Sequence, residues 1–358
     1  MNSHVLNGRS ATSVKVAAAN VASVMFDPEA GVAKACKFIA EAGSRGVELL
    51  VFPESFIPGF PIWNAFLRPI DGHALFRRFA ASSLEVDGPA IAAIAASAAK
   101  HGVAVSLGFS EVANYSAGCL WNSTVLINRD GNIVNHHRKL VPTFYEKLTW
   151  NRGDGAGLKV VDMGFGKVGG LICGENGNPL ARYVLMAQGE QIHCANYPTV
   201  WPFRDDPAAP PYDLREAIRI RAAAHCFEAK VYTIVSAGVL DDATVTAICG
   251  EDGQSADLLR RSSRPASMIV TPAGTSLAES RDDEEGLVVA DLDMSHLTEL
   301  KQHHDMAGYY NRLDVFSVSL NQTRQAPLLT TQDTRRPRET AEPTTSEDDL
   351  IVGRSAQA

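Results

Sequence analysis

The fold of this chain is decided by the stretch Lys167-Val168-Gly169-Gly170-Leu171-Ile172-Cys173-Gly174-Glu175-Asn176, which is followed by Asn178-Pro179-Leu180-Ala181-Arg182-Tyr183. The first part predicts a short buried strand that ends in a cysteine at a glycine-flanked turn. Asn178 then fits the cap of a helix, with Pro179 at the first helical position. A strand, a sharp turn and a helix together present a nucleophile at a sheet edge and aim backbone N–H groups at its target. Taken alone, this segment leaves Cys173 equally open to packing and to chemistry.

Length and composition indicate an ordinary globular protein. The chain has 358 residues, with 45% hydrophobic and 21% charged residues and a formal net charge of −8. This length is enough for one large domain or two small ones. No basic run is interleaved with aromatic residues, so we do not expect a nucleic-acid partner. No apolar run reaches the roughly 18 residues that a membrane span needs, so we expect no membrane partner either.

The cysteines and the N-terminus indicate a reducing compartment. The six cysteines are scattered without a CxxC pair, which argues against a zinc site and against a disulfide framework. Residues 1–13 are polar and lack the apolar core of a signal peptide. We therefore predict a cytoplasmic location, in which the thiols stay free, and no bound metal.

The pattern of elements predicts an α/β fold. Strands and helices alternate in the early part of the chain, and hairpins are inserted later, for example around Asp130-Gly131. Such an order gives helices that cover a partly parallel sheet. We predict a flexible N-terminus at 1–13, one domain at 14–320, and a tail at 321–358 that is disordered or docked at an interface, because the composition becomes rich in Pro, Thr and charge. Residues 203–211 predict a surface loop.

Reactive side chains stand at the ends of separate predicted strands. Glu54 follows an apolar run. Lys139 ends the second strand of the hairpin around Asp130-Gly131, and Cys173 stands at the turn that follows the strand beginning at Lys167. A thiolate is the nucleophilic form of cysteine, and a carboxylate such as Glu54 suits the removal of its proton. Lys139 and the N–H of Gly174 suit the stabilisation of charge that grows on a substrate heteroatom. This set fits covalent attack on a carbon bonded to nitrogen, with Glu146 as a further candidate carboxylate.

A series of motifs runs in order through residues 14–320. They are Phe52-Pro53-Glu54, His137-Arg138-Lys139-Leu140-Val141-Pro142-Thr143 with Glu146 and Trp150, Gly153-Asp154-Gly155, Cys173-Gly174-Glu175-Asn176, His193-Cys194-Ala195-Asn196-Tyr197-Pro198, Arg221-Ala222-Ala223-Ala224-His225-Cys226-Phe227-Glu228 and Gly308-Tyr309-Tyr310-Asn311-Arg312-Leu313-Asp314. Together they resemble the nitrilase superfamily of carbon-nitrogen hydrolases, specifically its true nitrilase branch. The resemblance implies a four-layer α-β-β-α sandwich, formed by a single domain with a mobile C-terminal tail.

The resemblance also implies a reaction and roles. It implies Glu54 as general base, Lys139 as stabilising cation and acid, Cys173 as nucleophile, and Glu146 as a carboxylate that holds Lys139 and orients water. It implies hydrolysis of a nitrile to a carboxylic acid and ammonia, through a thioimidate and then a thioester, without a metal or organic cofactor. Homo-oligomers built from dimers, which extend into spirals or filaments, are typical of the branch.

The chain departs from the usual pattern of the family at two places. Gly174 stands where the usual signature has tryptophan, so we expect substrate choice to be decided beside the thiol. In the late motif, Tyr309 replaces a histidine and Leu313 a proline, which bears on the contact between subunits.

Aromatic segments follow two of the reactive strand ends and suit either a core or a pocket wall. We predict that Trp63, Tyr197, Pro198 and Trp201 line the substrate pocket together with Gly174, because ligand sites are lined mainly by apolar and aromatic groups. This favours an aliphatic or arylaliphatic nitrile.

Two other functions remain open on the sequence. An amidase or carbamoylase of the same superfamily would use the same Glu, Lys and Cys set, because an amide also gives a thioester. A non-catalytic scaffold or binding module that has kept the fold is the alternative from another class.

Overall fold

A computed structural model of the protein describes residues 13–202, 212–281 and 284–328. Its strands are β1 (Ser13–Ala22), β2 (Leu49–Val51), β3 (Ala104–Ala113), β4 (Ser116–Ile127), β5 (Ile133–Arg138), β6 (Val161–Asp162), β7 (Lys167–Ile172), β8 (Ile192–Tyr197), β9 (Tyr232–Val239), β10 (Met268–Val270), β11 (Ser276–Glu279) and β12 (Gly286–Asp293). Its α-helices are α1 (Pro28–Ser44), α2 (His73–Ser82), α3 (Pro89–His101), α4 (Pro179–Ala187), α5 (Leu214–Ala229), α6 (Asp242–Cys249), α7 (Gly253–Arg261) and α8 (His296–His303).

The strands form two half-sheets. One has the order β12-β1-β2-β3-β4-β5, and the other has the order β11-β10-β9-β8-β7-β6. The strands β1, β2 and β3 run parallel, as do β7, β8 and β9, whereas the outer pairs are antiparallel. The halves meet where Val21 and Ala22 pair with Gly238 and Val239. The predicted mixture of parallel and antiparallel pairing is therefore confirmed.

The side chains of β1 show how the layers stack. Successive side chains of a strand point to opposite faces of a sheet. Ala17 and Ala19 pack in the cluster that contains the apolar faces of α1 and α3. Val16 and Ala18 pack in a second cluster with residues of β8, β9 and β10 from the other half-sheet. Helices α4 and α5 cover the far side of that half-sheet. The predicted four-layer α-β-β-α sandwich is confirmed.

Capping side chains mark the first turns of several helices. The Asn178 side chain accepts hydrogen bonds from the N–H groups of Leu180 and Ala181, and Pro179 is the first residue of α4, as predicted. Helices α6 and α7 were not predicted, although Asp241 and Asp252 cap their first turns.

Several boundaries differ from the sequence-based expectation. The apolar run Gly46–Phe52 predicts a longer strand than the one that forms, Leu49–Val51. The backbone of Glu48 and Phe52 on either side still bonds residues of β1 and β3. One compact unit extends to Arg324, whose guanidinium donates to the His136 carbonyl (2.7 Å), and Gln325 begins a separate unit. The predicted loop at 203–211, most of the N-terminus at 1–13 and the greater part of the tail lie outside the described residues. Among the helices of the described ranges, none is long and apolar enough to cross a membrane.

Candidate active site

The predicted reactive residues meet at the carboxyl ends of their strands. Lys139 follows β5, and its Nζ lies 2.6 Å from Oε1 of Glu54, which follows β2. The same Nζ lies 2.9 and 2.7 Å from the two carboxylate oxygens of Glu146. Cys173 follows β7, and its Sγ and one oxygen from each glutamate all lie within 4.8 Å of one another. All four residues are buried, so the structure brings the whole predicted set together.

Left-handed backbone occurs at or near three of these four residues. Cys173 itself has φ +50°, Ser55 after Glu54 has φ +47°, and Phe144 shortly before Glu146 has φ +46°. This region is uncommon for residues other than glycine, and strain of this kind is typical of functional sites. At Cys173 it forms the sharp turn between β7 and the short 3-10 helix Cys173–Gly177.

The two oxygens of Glu54 have different surroundings. Oε1 accepts from Lys139 and from Nδ2 of Asn122, which lies 2.7 Å away. Oε2 is buried and has no hydrogen-bond partner among the residues that the structure describes. The lone pairs of Oε2 are therefore not engaged by the described residues, whereas Oε1 already accepts from two donors. Oε2 is the atom of Glu54 that is available to take a proton.

Burial and charge together set the protonation of the cluster. Burial alone would lower the pKa of Lys139, but the carboxylates of Glu146 and Glu54 outweigh it and raise that pKa well above its ordinary value. Burial raises the pKa of Glu146 to about 7, against the opposing effect of Lys139. Burial and the Glu54 charge raise the pKa of the Cys173 thiol well above its ordinary value. The cysteine therefore rests as a thiol that gives up its proton only as it attacks.

Glu175 joins two of the strand ends. Its Oε1 accepts from the N–H of Leu140 (2.6 Å), and its Oε2 accepts from the N–H of Ile172 (2.8 Å). The carboxylate also accepts from Nε2 of His137 (2.9 Å). Burial would raise the pKa of Glu175, but the His137 ring and these N–H groups lower it. One ionised side chain therefore fixes the backbone next to the lysine and next to the cysteine.

Two glycines permit close backbone contacts at this site. A Cβ on Gly108 of β3 would lie 2.2 Å from the carbonyl oxygen of Pro53, and a Cβ on Gly153 would lie 2.2 Å from that of Arg138. Only glycine allows approaches of this kind, and they bring the segments with Glu54 and Lys139 into place.

Three of the five residues predicted to line the pocket, Trp201, Tyr197 and Trp63, are buried in one apolar cluster with Cys173. Trp201 stacks on Tyr145 with ring centroids 4.5 Å apart. Tyr197 is buried, and burial and the neighbouring Cys173 raise the pKa of its phenol. Trp63 belongs to the same apolar cluster as Cys173, but its ring packs on Phe79 at 5.3 Å.

The remaining two predicted pocket residues lie beside this cluster. Pro198 is buried directly after β8. Apart from its chain neighbours, a Cβ on Gly174 would have one described neighbour within 4 Å, the Thr143 hydroxyl at 3.0 Å, so few described atoms crowd this position. Contact of these residues with substrate stays a prediction.

Three site residues were not predicted. Asn122 supports Glu54, and its carbonyl accepts from the Lys139 N–H at 2.8 Å. The Tyr145 phenol is buried near Glu146 and Cys173, which with burial raise its pKa well above the ordinary value. Arg221 of α5 donates to the Tyr212 hydroxyl and brings positive charge toward Cys173. Tyr145 directly precedes the predicted Glu146, and this position in the sequence could have indicated it. Asn122 and Arg221 reach the site through strand register and helix packing, which the sequence does not show.

Two groups of side chains have the composition of a metal site. In the first, Glu54, Glu146 and Cys173 lie close together, but the Lys139 ammonium already bonds both carboxylates and supplies the positive charge there. In the second, the two oxygens of Glu190 already bond the rings of His193 and His225 at 2.8 and 2.7 Å, and Nδ1 of His225 has no hydrogen-bond partner among the described residues. Neither group therefore calls for a metal ion.

Comparison with known proteins agrees with this geometry. The sequence profile of the carbon-nitrogen hydrolase family matches residues 15–302. The chain is 35% identical over 318 residues to a nitrilase of Paraburkholderia phymatum, covering 88% of this chain and 89% of that protein. It is 34% identical over 318 residues to an aliphatic nitrilase of Rhodococcus rhodochrous, covering 88% and 85%.

A solved structure shares the fold. The carbon-nitrogen hydrolase of Helicobacter pylori superposes with a TM-score of 0.66 at 18% identity, covering 85% of this chain and 97% of that one. The chain therefore belongs to the carbon-nitrogen hydrolase family and, within it, to the nitrilase branch.

Proposed function

We propose that this protein is a nitrilase that hydrolyses an aliphatic or arylaliphatic nitrile to the carboxylic acid and ammonia. One observation carries the proposal: the buried Cys173 thiol faces two carboxylates that share the Lys139 ammonium. The names of its relatives, nitrilase and aliphatic nitrilase, support the same reaction.

The first half of the reaction forms a thioimidate. Sγ of Cys173 bonds to the nitrile carbon while Oε2 of Glu54 takes the thiol proton, since that oxygen is not engaged by the described residues. The nitrile nitrogen gains charge as one of its π bonds breaks. Lys139 and the Gly174 N–H stabilise that charge, and the proton held by Glu54 passes to the nitrogen. The product is a neutral thioimidate on the cysteine.

The second half consumes two waters. One water adds to the thioimidate carbon, and the carbon–nitrogen bond breaks to release ammonia and leave a thioester. A second water cleaves the thioester to the acid and restores the thiol. Glu146 orients these waters as a carboxylate, while it holds Lys139 between itself and Glu54.

The walls of the site suit an apolar substituent. Trp201 and Tyr145 form a stacked aromatic wall, and apolar and aromatic linings are typical of small-molecule pockets. Gly174 leaves space beside the thiol where the usual signature of the family has a tryptophan. This supports substrates with a chain or ring on the carbon next to the nitrile.

Ammonia release tests the proposal. Purified protein is offered aliphatic, arylaliphatic and aromatic nitriles and cyanide, and the organic nitriles are paired with their matching amides. We expect equal amounts of acid and ammonia from the preferred nitrile and slower release from its amide. Faster release from the amide would reassign the protein as an amidase. No turnover, together with no selective labelling of Cys173 by a thiol-directed electrophile, would indicate a non-catalytic scaffold.

We also propose a homo-oligomer built from dimers and a cytoplasmic location. The outer helix layer exposes Leu180 of α4 with Ile220 and Phe227 of α5, a face that suits a second copy of the chain. All six cysteines are free, which suits a reducing compartment. Light scattering on the purified protein tests the assembly: a monomer at micromolar concentration would contradict it.

A further inference from the structure

A buried chain of polar side chains lies behind the Cys173 turn. Nδ1 of His193 lies 2.8 Å from Oε1 of Glu190, and Nε2 of His193 lies 2.8 Å from Oδ1 of Asn176. Nδ2 of Asn176 donates to the carbonyls of Leu171 (3.2 Å) and Cys173 (3.0 Å). The chain therefore reaches the backbone on both sides of the left-handed cysteine.

The hydrogen bonds fix one proton of the His193 ring. Two carbonyls accept from the Asn176 amide, which sets its orientation and turns Oδ1 toward the ring. Nε2 must therefore carry a proton. Nδ1 faces Oε1 of Glu190, a carboxyl whose pKa burial would raise but the rings of His193 and His225 lower to about 2. The His193 ring is therefore held on one side by Glu190 and donates from the other side to Asn176.

Three further titratable groups, His225, Cys194 and Cys226, lie around Glu190 and His193. Burial and His193 lower the pKa of His225, which donates Nε2–H to the other oxygen of Glu190 at 2.7 Å. Burial raises the pKa of the neighbouring Cys194 and Cys226 thiols, which stay neutral.

Arg182, the remaining cation nearby, is paired with Glu228 at 3.1 Å. Glu190 therefore anchors one side of the His193 ring, and the other side of the ring bonds Asn176.

We propose that Glu190, His193 and Asn176 act as positioning residues that hold the Cys173 carbonyl, and with it the aim of Sγ and of the Gly174 N–H. This inference rests on the proposed function, because it assigns the cysteine as the nucleophile. The residues touch no reacting atom. They act by holding a strained turn in one geometry, and a misplacement of about 1 Å at such a site can cost about 100-fold in rate.

The test exchanges Asn176 for aspartate. Asn176→Asp keeps the shape and still accepts from His193, but it places a carboxylate oxygen against the carbonyls of Leu171 and Cys173. Gln188→Glu is the matched control. Gln188 also donates to two carbonyls, those of Leu158 and Val184 at 3.0 Å each, and accepts one backbone N–H, but at the end of α4.

The expected result separates positioning from folding. For Asn176→Asp we expect kcat to fall about 100-fold with KM nearly unchanged, and the rate of Cys173 alkylation by iodoacetamide to fall in parallel. Gln188→Glu should keep both rates, although it also turns a donor amide into a carboxylate that faces two carbonyls. Wild-type rates in Asn176→Asp would overturn the proposal.

A measurement on the unmodified protein covers the case in which Asn176→Asp does not fold. Nitrogen NMR of ¹⁵N-histidine protein, assigned with His193→Gln, should show Nε2 of His193 protonated at neutral pH. A ring that carries its proton only on Nδ1 would contradict the arrangement. Neither alkylation nor NMR requires nitrile turnover, so a failure of the proposed function is distinguishable from a failure of this inference.

Discussion

Exchange of Glu146 for glutamine should remove a pH dependence of stability that the buried cluster creates. Both oxygens of Glu146 bond the Lys139 ammonium, and Oε2 also accepts from the Thr143 N–H at 2.9 Å. Burial nevertheless raises the pKa of Glu146 to about 7, helped by the nearby charge of Glu54. The folded protein therefore holds a proton on this carboxyl at pH values where the unfolded chain has lost it.

The sign and size of the effect follow from proton linkage. The pKa of Glu146 is 4.5 in its ordinary state and about 7 in the fold. Below pH 4.5 both states are protonated, and the side chain contributes its full stability. As the pH rises from 4.5 to 7, only the unfolded state releases the proton, so the free energy of unfolding falls by about 3 kcal/mol, at about 1.4 kcal/mol for each pH unit.

Urea unfolding at pH 5 and pH 8 measures this loss. Glu146→Gln has no carboxyl to titrate at this position. It should therefore lack about 2.5 kcal/mol of the wild-type decrease between these two pH values, whatever constant penalty the amide N–H facing Lys139 adds. The exposed neighbour Lys147 in the same short helix provides a control, since Lys147→Gln should follow the wild type. Parallel curves for wild type and Glu146→Gln would refute the reasoning.

Three further substitutions test separate parts of the site. Glu54→Gln should lower kcat by about 10²–10⁴-fold, because the thiol loses its base, while circular dichroism shows an intact fold. Lys139→Met leaves two buried carboxylates without their cation, so urea unfolding should show a loss of about 3–5 kcal/mol, and an unchanged free energy would contradict the ion-pair assignment. Gly174→Trp should raise KM for an arylaliphatic nitrile more than for a short aliphatic one, because the ring fills the open space next to Thr143. Equal changes in both KM values would remove Gly174 as a determinant of substrate size.

The core of the site could be predicted from the sequence because its three central residues stand just after the ends of strands. Glu54, Lys139 and Cys173 each follow an apolar or hairpin strand, and the carboxyl ends of parallel strands meet at one edge of a sheet. The α-helix after the cysteine was also predictable, since Asn178 and Pro179 are strong local signals.

The supporting residues depend on tertiary pairing, which no local pattern shows. Asn122 reaches Glu54 because the register of β4 and β5 places it opposite Lys139. His193 lies in the buried strand β8, where its sequence neighbours give no sign of Asn176 or Glu190 as partners. The positioning role proposed for them rests on these hydrogen bonds.

The most direct test of the account is the mass of the protein during turnover. Acid quenching of the reaction with a preferred nitrile, followed by mass spectrometry, should show the acyl or imidoyl adduct on the peptide that contains Cys173. The adduct should accumulate in Glu146→Gln, where water is poorly oriented, and be absent in Cys173→Ala, which should release no ammonia. An adduct on a different cysteine, or a Cys173→Ala protein that still hydrolyses the nitrile, would contradict the assignment of Cys173 as the nucleophile.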